Sequence, residues 1–101
     1  MIQHIVLFKF AQHIAKAQII AILDELGELK NTTIPQIHEY SYGENNSPEK
    51  LDKGYNYGFV MQFLSAMDRE IYLHHPDHVS LAKRLMEMME DGVNSALVFD
   101  Y

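Results

Sequence analysis

The first strand-forming segment of this chain is apolar on both faces, and this feature constrains the fold more than any other. Residues 2–10 read IQHIVLFKF, rich in the β-branched and aromatic residues that favour strands. Successive side chains of a strand point to opposite faces. The two faces here carry, in turn, His4, Val6 and Phe8, and then Ile5 and Leu7. Both sets are largely apolar, so the sheet that contains this strand must be covered on both sides.

Helical and strand patterns alternate along the rest of the chain. Residues 14–30 have helical periodicity, with apolar positions at Ile19, Ile22, Leu23, Leu26 and Leu29. Ser65 is expected to cap a second helix, which Pro76 breaks in two and Gly92 ends. Strands are predicted over residues 2–10, 37–42, 55–64 and 96–101. The order β-α-β-β-α-β predicts a single α+β domain over residues 1–101, with a ferredoxin-like, four-stranded antiparallel sheet.

The predicted helices cover only one face of this sheet. The other face would expose the second apolar set of the first strand, and a contiguous exposed apolar patch normally marks an interface. The simplest solution is a two-fold dimer in which the bare sheet faces pack together and close a barrel. A second copy of the chain is therefore the predicted protein partner.

Composition excludes several classes of partner and cofactor. The net charge is −6 and the eight Lys and Arg residues are scattered, so neither nucleic acid nor an anionic membrane is an expected partner. There is no cysteine and no glycine-rich phosphate loop, and we expect no cofactor. No apolar segment approaches the roughly 20 residues of a membrane helix. The amino terminus lacks the pattern of a secretory signal, which predicts a cytoplasmic location.

The residues best suited to chemistry concentrate at the break in the second helix. Residues 72–78, YLHHPDH, hold three histidines and a tyrosine around one proline. Imidazole is the side chain whose ordinary titration spans physiological pH, so a His and a Tyr at one pocket can exchange protons with a small molecule. His74 and His78 have a metal-ligand spacing, but Pro76 interrupts the helix between them and no third ligand is apparent. No metal site is therefore predicted.

Several segments together form a pattern typical of one family. They are His4–Phe10, Ser47-Pro48, Gly54-Tyr55, Tyr72, His75–His78 and Val98–Tyr101. In these segments the chain resembles the stress-responsive dimeric α/β-barrel (Dabb) family, over essentially its whole length. The resemblance implies the same split-βαβ dimer. It also implies site residues, because a polyketide-cyclase branch of the family uses the last His of a His-Pro-x-His segment and a preceding Tyr as acid and base. These positions correspond to His78 and Tyr72, with a further histidine of the first strand at His4.

Three functions are open at this point. The first is binding of a small apolar, phenolic or ketide molecule between the helices and the sheet. The expected ligand contacts, besides His78 and Tyr72, are His4, Val6, Leu23, His75 and Leu81. The second is a cofactor-independent cyclase or isomerase, in which His78 removes a proton alpha to a carbonyl and Tyr72 donates a hydrogen bond to the enolate oxygen. The third is a stress-protective dimer without a ligand, in which the histidines are structural.

Overall fold

The computed structural model describes residues 1 to 101 and confirms the α+β, ferredoxin-like architecture. Its elements are β1 (Ile2–Phe8), α1 (Lys16–Glu28), β2 (Glu39–Glu44), β3 (Tyr57–Phe63), α2 (Ala66–His74), α3 (Pro76–Glu87) and β4 (Ala96–Asp100). The four strands form one antiparallel sheet in the order β2-β3-β1-β4. The amino-terminal and carboxy-terminal strands are therefore neighbours, with β4 at one edge.

One face of the sheet forms the core together with the three helices. Alternate residues of β3 are buried, namely Tyr57, Phe59, Met61 and Phe63. The apolar positions of α1 that face them are Ile19, Ile22, Leu23 and Leu26, all buried. Apolar side chains removed from water in this way are the main stabilising term of a small domain. The period-two and helical patterns of the sequence thus predicted the buried face of both elements.

Some element ends differ from the sequence prediction. β1 ends at Phe8 rather than at residue 10, and Phe10 makes only an isolated bridge to Met89. β2 begins two residues later than predicted, because Ile37 belongs to the preceding turn, where it is buried at 1% exposure. α3 ends at Glu87, and Gly92 instead begins a short 3-10 segment with φ of +51°. The first two differences arise because an apolar residue beside a strand is buried equally well from an isolated bridge, as Phe10 is, or from a turn, as Ile37 is.

The N-terminus of α2 is capped as predicted. The Ser65 side chain accepts a hydrogen bond from the backbone N–H of Asp68 at 3.2 Å. Such a cap satisfies one of the amide groups left free in the first turn. It fixes where α2 begins.

The opposite face of the sheet carries no helix and is apolar across three strands. The register aligns Val60, Ile5 and Phe99 in one row, and Leu7 and Leu97 in the next. Phe99 is 59% exposed and Leu97 is 40% exposed. We name these five residues the outer-face band. Their exposure agrees with the two-faced apolar pattern predicted from β1.

Candidate functional site

A cavity of about 260 Å³ lies between the inner face of the sheet and the paired helices α2 and α3. Its walls are almost entirely apolar, and include Val6, Phe8, Phe59, Leu85, Met86 and Val98. Val98, on edge strand β4, is 60% exposed, so the cavity reaches the surface beside that edge. An apolar concavity with a few polar groups is the usual form of a small-molecule site.

Four polar side chains line this cavity: His4, Tyr72, His78 and Asp100. His4 is contributed by β1 and Asp100 by the adjacent β4, where the two residues are direct partners in the strand register. The Nδ1 atom of His4 lies 2.7 Å from Oδ1 of Asp100. A carboxylate only accepts hydrogen bonds, so Nδ1 of His4 carries a proton and donates this bond.

His78 is held by the break between α2 and α3. Leu73 lies in the last turn of α2, where backbone carbonyls lack an intrahelical partner. Pro76 begins α3 and so ends the helical ladder, and Nδ1 of His78 lies 3.1 Å from the free carbonyl oxygen of Leu73. The carbonyl can only accept, so Nδ1 donates and Nε2 of His78 is unprotonated. The helix break therefore decides the tautomer of this histidine.

Tyr72 is buried at 1% exposure and packs between two rings. Its ring centroid lies 4.1 Å from that of His78 and 5.2 Å from that of Phe63. The hydroxyl makes no hydrogen bond to another protein group, whereas the hydroxyls of Tyr40 and Tyr42 both do. Tyr72 is thus fixed by packing alone, with its polar end left unpaired by the protein.

Three polar atoms without a protein partner belong to residues that line the cavity. No fully enclosed side-chain nitrogen or oxygen in the structure lacks a hydrogen-bond partner. Because Nε2 of His4, Nε2 of His78 and the Tyr72 hydroxyl have no protein partner, none of the three can be fully enclosed. All three residues line the same cavity. The site therefore combines two ring nitrogens and one hydroxyl that lack a protein partner with walls that are mostly apolar.

Burial moves the pKa values of the two residues at the helix break in opposite directions. Desolvation is the main cause that lowers the pKa of His78. The hydrogen bond to the Leu73 carbonyl partly offsets this decrease, and nearby His4 and His75 add to it. Desolvation also raises the pKa of Tyr72 well above its usual range. At neutral pH His78 is therefore a neutral base and Tyr72 a protonated donor. A base and a hydrogen-bond donor on one cavity can transfer a proton and stabilise the resulting anion.

Other concavities lack this combination. A depression of about 370 Å³ lies beside the loop between β2 and β3, and exposed Glu44, Glu49 and Asp52 supply its charged groups. It contains no histidine and is open to solvent on the outer side of the sheet. No group of three His, Cys, Asp or Glu side chains in the structure has an arrangement that could hold a metal ion. None of the three helices has both the length and the apolar character that crossing a bilayer would require.

Comparison with known proteins identifies the family. A family model described as the stress responsive A/B barrel domain (Dabb) matches residues 2–101. The chain belongs to this family. No match was found among curated proteins. The fold of this Dabb domain is similar to that of a protein from Arabidopsis thaliana, with a TM-score of 0.89 and 26% identity, over 100% of this chain and 93% of that chain.

Two further solved structures are similar to this Dabb domain. One is a dimeric ferredoxin-like protein of unknown function from Jannaschia sp., with a TM-score of 0.88 and 25% identity, over 99% of this chain and 96% of that chain. The other is a hydroxynitrile lyase from Passiflora edulis, with a TM-score of 0.86 and 24% identity, over 99% of this chain and 90% of that chain. The likeness to the lyase concerns the fold alone.

The cavity of the Dabb domain contains four of the seven residues predicted for the site: His4, Val6, Tyr72 and His78. The other three lie elsewhere. Leu23 and Leu81 are buried in the core, at 0% and 4% exposure, and do not line the cavity. His75 caps α3, with its Nδ1 accepting a hydrogen bond from the Asp77 amide at 3.0 Å. These three residues therefore do not line this cavity, and their contact with a ligand stays a prediction.

Sequence reasoning missed the residues that complete the cavity. Asp100 was noted only as part of the closing segment, and Leu26 and Ala82 take the places expected for Leu23 and Leu81. A signal for Asp100 existed, because a ferredoxin-like order places the first and last strands side by side. An antiparallel register between them brings a residue near the carboxyl terminus opposite His4.

Proposed function

We propose that this Dabb domain binds a small, largely apolar molecule in the cavity beside α2 and α3. The observation that carries the proposal is the convergence of three unpaired polar groups on an apolar space, those of His4, Tyr72 and His78. A polar group of an apolar cavity that has no protein partner stabilises a complex when the ligand supplies the missing hydrogen bond. A purely structural histidine or tyrosine would have its bonds satisfied within the protein.

The cavity limits the size and chemistry of the ligand. A cavity of 150 Å³ holds benzene, so about 260 Å³ suits a molecule of roughly ten non-hydrogen atoms. The two imidazole Nε2 atoms require donors, and the Tyr72 hydroxyl can donate to a carbonyl or phenolate oxygen. A small phenol or a ketone with an adjacent hydroxyl group combines these features. We therefore propose this class of ligand.

Filling the cavity tests the binding proposal without touching its polar groups. Ala82 of α3 lines the cavity and is half-buried. Ala82→Phe should abolish saturable binding of small phenols and hydroxyketones measured by isothermal titration calorimetry. Ala17→Phe makes the same change at an exposed position of α1 and should leave binding unchanged. Equal binding by both variants would place the ligand elsewhere, and absence of binding by the unmodified protein would favour the stress-protective dimer.

A second candidate is a proton-transfer enzyme at the same site, with cyclase or isomerase chemistry. The opposite pKa shifts of His78 and Tyr72 favour it, because divergent pKa values in one site separate the base from the acid. Nε2 of His78 would take the proton alpha to a carbonyl. The Tyr72 hydroxyl would donate a hydrogen bond to the enolate oxygen, and the proton would then return to carbon or oxygen of the product.

Exchange of alpha protons for deuterium tests this chemistry directly. Incubation of small ketones with the protein in deuterated water should show catalysed exchange by proton NMR. His78→Gln and Tyr72→Phe should each reduce the rate, by about 10²–10⁴-fold for the base. His13→Gln, at an exposed histidine, is the matched control. Exchange that is unaffected by His78→Gln would reject the enzyme.

We also propose that two chains pack through the outer-face band. An exposed apolar surface across three strands supports this, as does the dimeric state of the Jannaschia sp. protein. Phe99→Glu should shift the sedimentation equilibrium from two chains to one. Val79→Glu introduces the same charge at an exposed apolar position of α3 and should not. A wild-type protein that sediments as one chain at micromolar concentration would refute the dimer.

A further inference from the structure

A chain of contacts links His4 to a charged residue outside the cavity. The carboxylate of Asp100 accepts a hydrogen bond from His4 through Oδ1 at 2.7 Å and one from Nη1 of Arg69 through Oδ2 at 3.2 Å. The side chain of His4 is 5% exposed, whereas those of Asp100 and Arg69 are 22% and 24% exposed. One carboxylate is thus shared by a buried imidazole and a half-buried guanidinium.

Arg69 lies one turn before Tyr72 on α2 and joins this helix to edge strand β4. Its other ionic contact is with Glu70, at 3.5 Å from Nη2. The Glu70 side chain is 51% exposed, so that pair contributes little. The bond to Asp100 is therefore the specific interaction of Arg69. Asp100 lines the cavity, whereas Arg69 does not.

The surroundings of His4 contain few other charges. Asp100 faces it from β4, Tyr72 from α2 and His78 from α3, and β3 contributes only the rings of Phe59 and Phe63. Tyr72 and His78 are both neutral at neutral pH by the pKa directions given above. Asp100 is therefore the carboxylate that faces His4, and Arg69 is the other hydrogen-bond partner of that carboxylate.

We propose that Arg69 is a positioning residue that holds His4 as the neutral, Nδ1-protonated imidazole with its Nε2 lone pair toward the cavity. With Arg69 present, carboxylate and guanidinium balance, and a second proton on His4 would place an excess positive charge among aromatic rings. Without Arg69, the partly buried carboxylate has only the imidazole to balance it, and the doubly protonated ring becomes the favoured partner.

The consequence for the ligand depends on the proposed binding function. A neutral His4 accepts a hydrogen bond from a ligand hydroxyl, whereas a doubly protonated His4 can only donate. Arg69 thus determines whether the cavity has two acceptors or one. The state of His4 itself is a property of the unliganded protein and can be measured without any ligand.

Long-range proton–nitrogen NMR of the unliganded protein tests the proposal, because imidazole nitrogen shifts report which ring atoms carry protons. In the unmodified protein at neutral pH, His4 should carry a proton on Nδ1 only. Arg69→Met should raise the doubly protonated population about tenfold, as expected for removal of a nearby positive charge at the effective dielectric of a protein. Arg69→Lys retains the charge and should restore most of the original state.

Glu70→Gln is the matched control, since it removes the other ionic contact of Arg69 and should leave the His4 spectrum unchanged. If Arg69→Met does not fold, as judged by circular dichroism, Arg69→Gln makes the same comparison. An unchanged His4 spectrum in the folded neutral variant would overturn the proposal, as would an equal change in Glu70→Gln. A failure to find any ligand would overturn the binding function and leave this result standing.

Discussion

Two tyrosines of this domain should respond in opposite ways to loss of the hydroxyl. The Tyr40 hydroxyl donates to the backbone carbonyl of Leu23 at 2.7 Å and so links β2 to α1. The Tyr72 hydroxyl has no protein partner and faces the cavity. Tyr40→Phe and Tyr72→Phe each remove a single oxygen atom. The pair therefore separates a structural hydroxyl from one that we propose binds a ligand.

The magnitudes follow from the hydrogen bonds. Loss of the Tyr40 bond leaves the Leu23 carbonyl without this donor and should lower the free energy of unfolding by about 1 kcal/mol. For a domain of this size that is a fall in Tm of about 4–8 °C. Tyr72→Phe removes a poorly solvated group that gains nothing from the protein. Its stability should be equal to, or up to about 1 kcal/mol above, that of the unmodified protein.

Urea unfolding of the three proteins measures the stability difference, and calorimetry measures ligand affinity. Tyr72→Phe should weaken binding about 2- to 13-fold, the equivalent of one net hydrogen bond of about 0.5–1.5 kcal/mol. Tyr40→Phe should leave affinity unchanged once the protein is folded. Equal destabilisation by both substitutions would refute the reasoning, because it would mean that the Tyr72 hydroxyl has a structural partner.

Three further predictions concern pH, a helix–sheet contact and the core. Burial lowers the pKa of His78 below its ordinary 6.5, so the unfolded state binds more protons and the free energy of unfolding should fall as the pH drops below that value. In urea titrations at several pH values, His78→Gln should reduce the dependence of the unfolding free energy on pH, whereas His13→Gln, at an exposed histidine, should not. An unchanged pH dependence in His78→Gln would contradict this assignment. Gly27→Ala should destabilise by about 1–2 kcal/mol, because its Cβ would lie 2.6 Å from the Tyr40 ring and overpacking exceeds the helix-propensity gain of about 1 kcal/mol. A raised Tm would contradict this. Leu23→Ala should cost about 2–5 kcal/mol without changing ligand affinity, and a selective loss of affinity would return Leu23 to the site.

The fold was largely predictable because its signals are local and repeated. The strict alternation through Tyr57–Phe63 defines both the strand and its buried face. Strand ends were less predictable, since Ile37 is as apolar as a strand residue and is buried from a turn. The predicted start of β2 was therefore misplaced by two residues.

The residues of the candidate site were predictable where they lie in one segment of the sequence. They were not predictable where tertiary packing decides which residues line the cavity. Residues 72–78 placed Tyr72 and His78 together, and resemblance to the family added His4. Helical spacing alone could not choose among the apolar residues of α1 and α3, because the buried stripe of a helix is wider than the part that lines a cavity. The bond between His4 and Asp100 joins residues 96 positions apart.

The break at Pro76 has a chemical meaning beyond the shape of the backbone. An uninterrupted helix would return the Leu73 carbonyl to the backbone ladder and leave the imidazole of His78 free to rotate. A substitution at Pro76, which does not line the cavity, would then remove the hydrogen bond that decides which nitrogen of His78 carries the proton. In this domain the interruption of the helix at Pro76 leaves a carbonyl free to bind Nδ1 of His78, and this bond leaves the lone pair on Nε2.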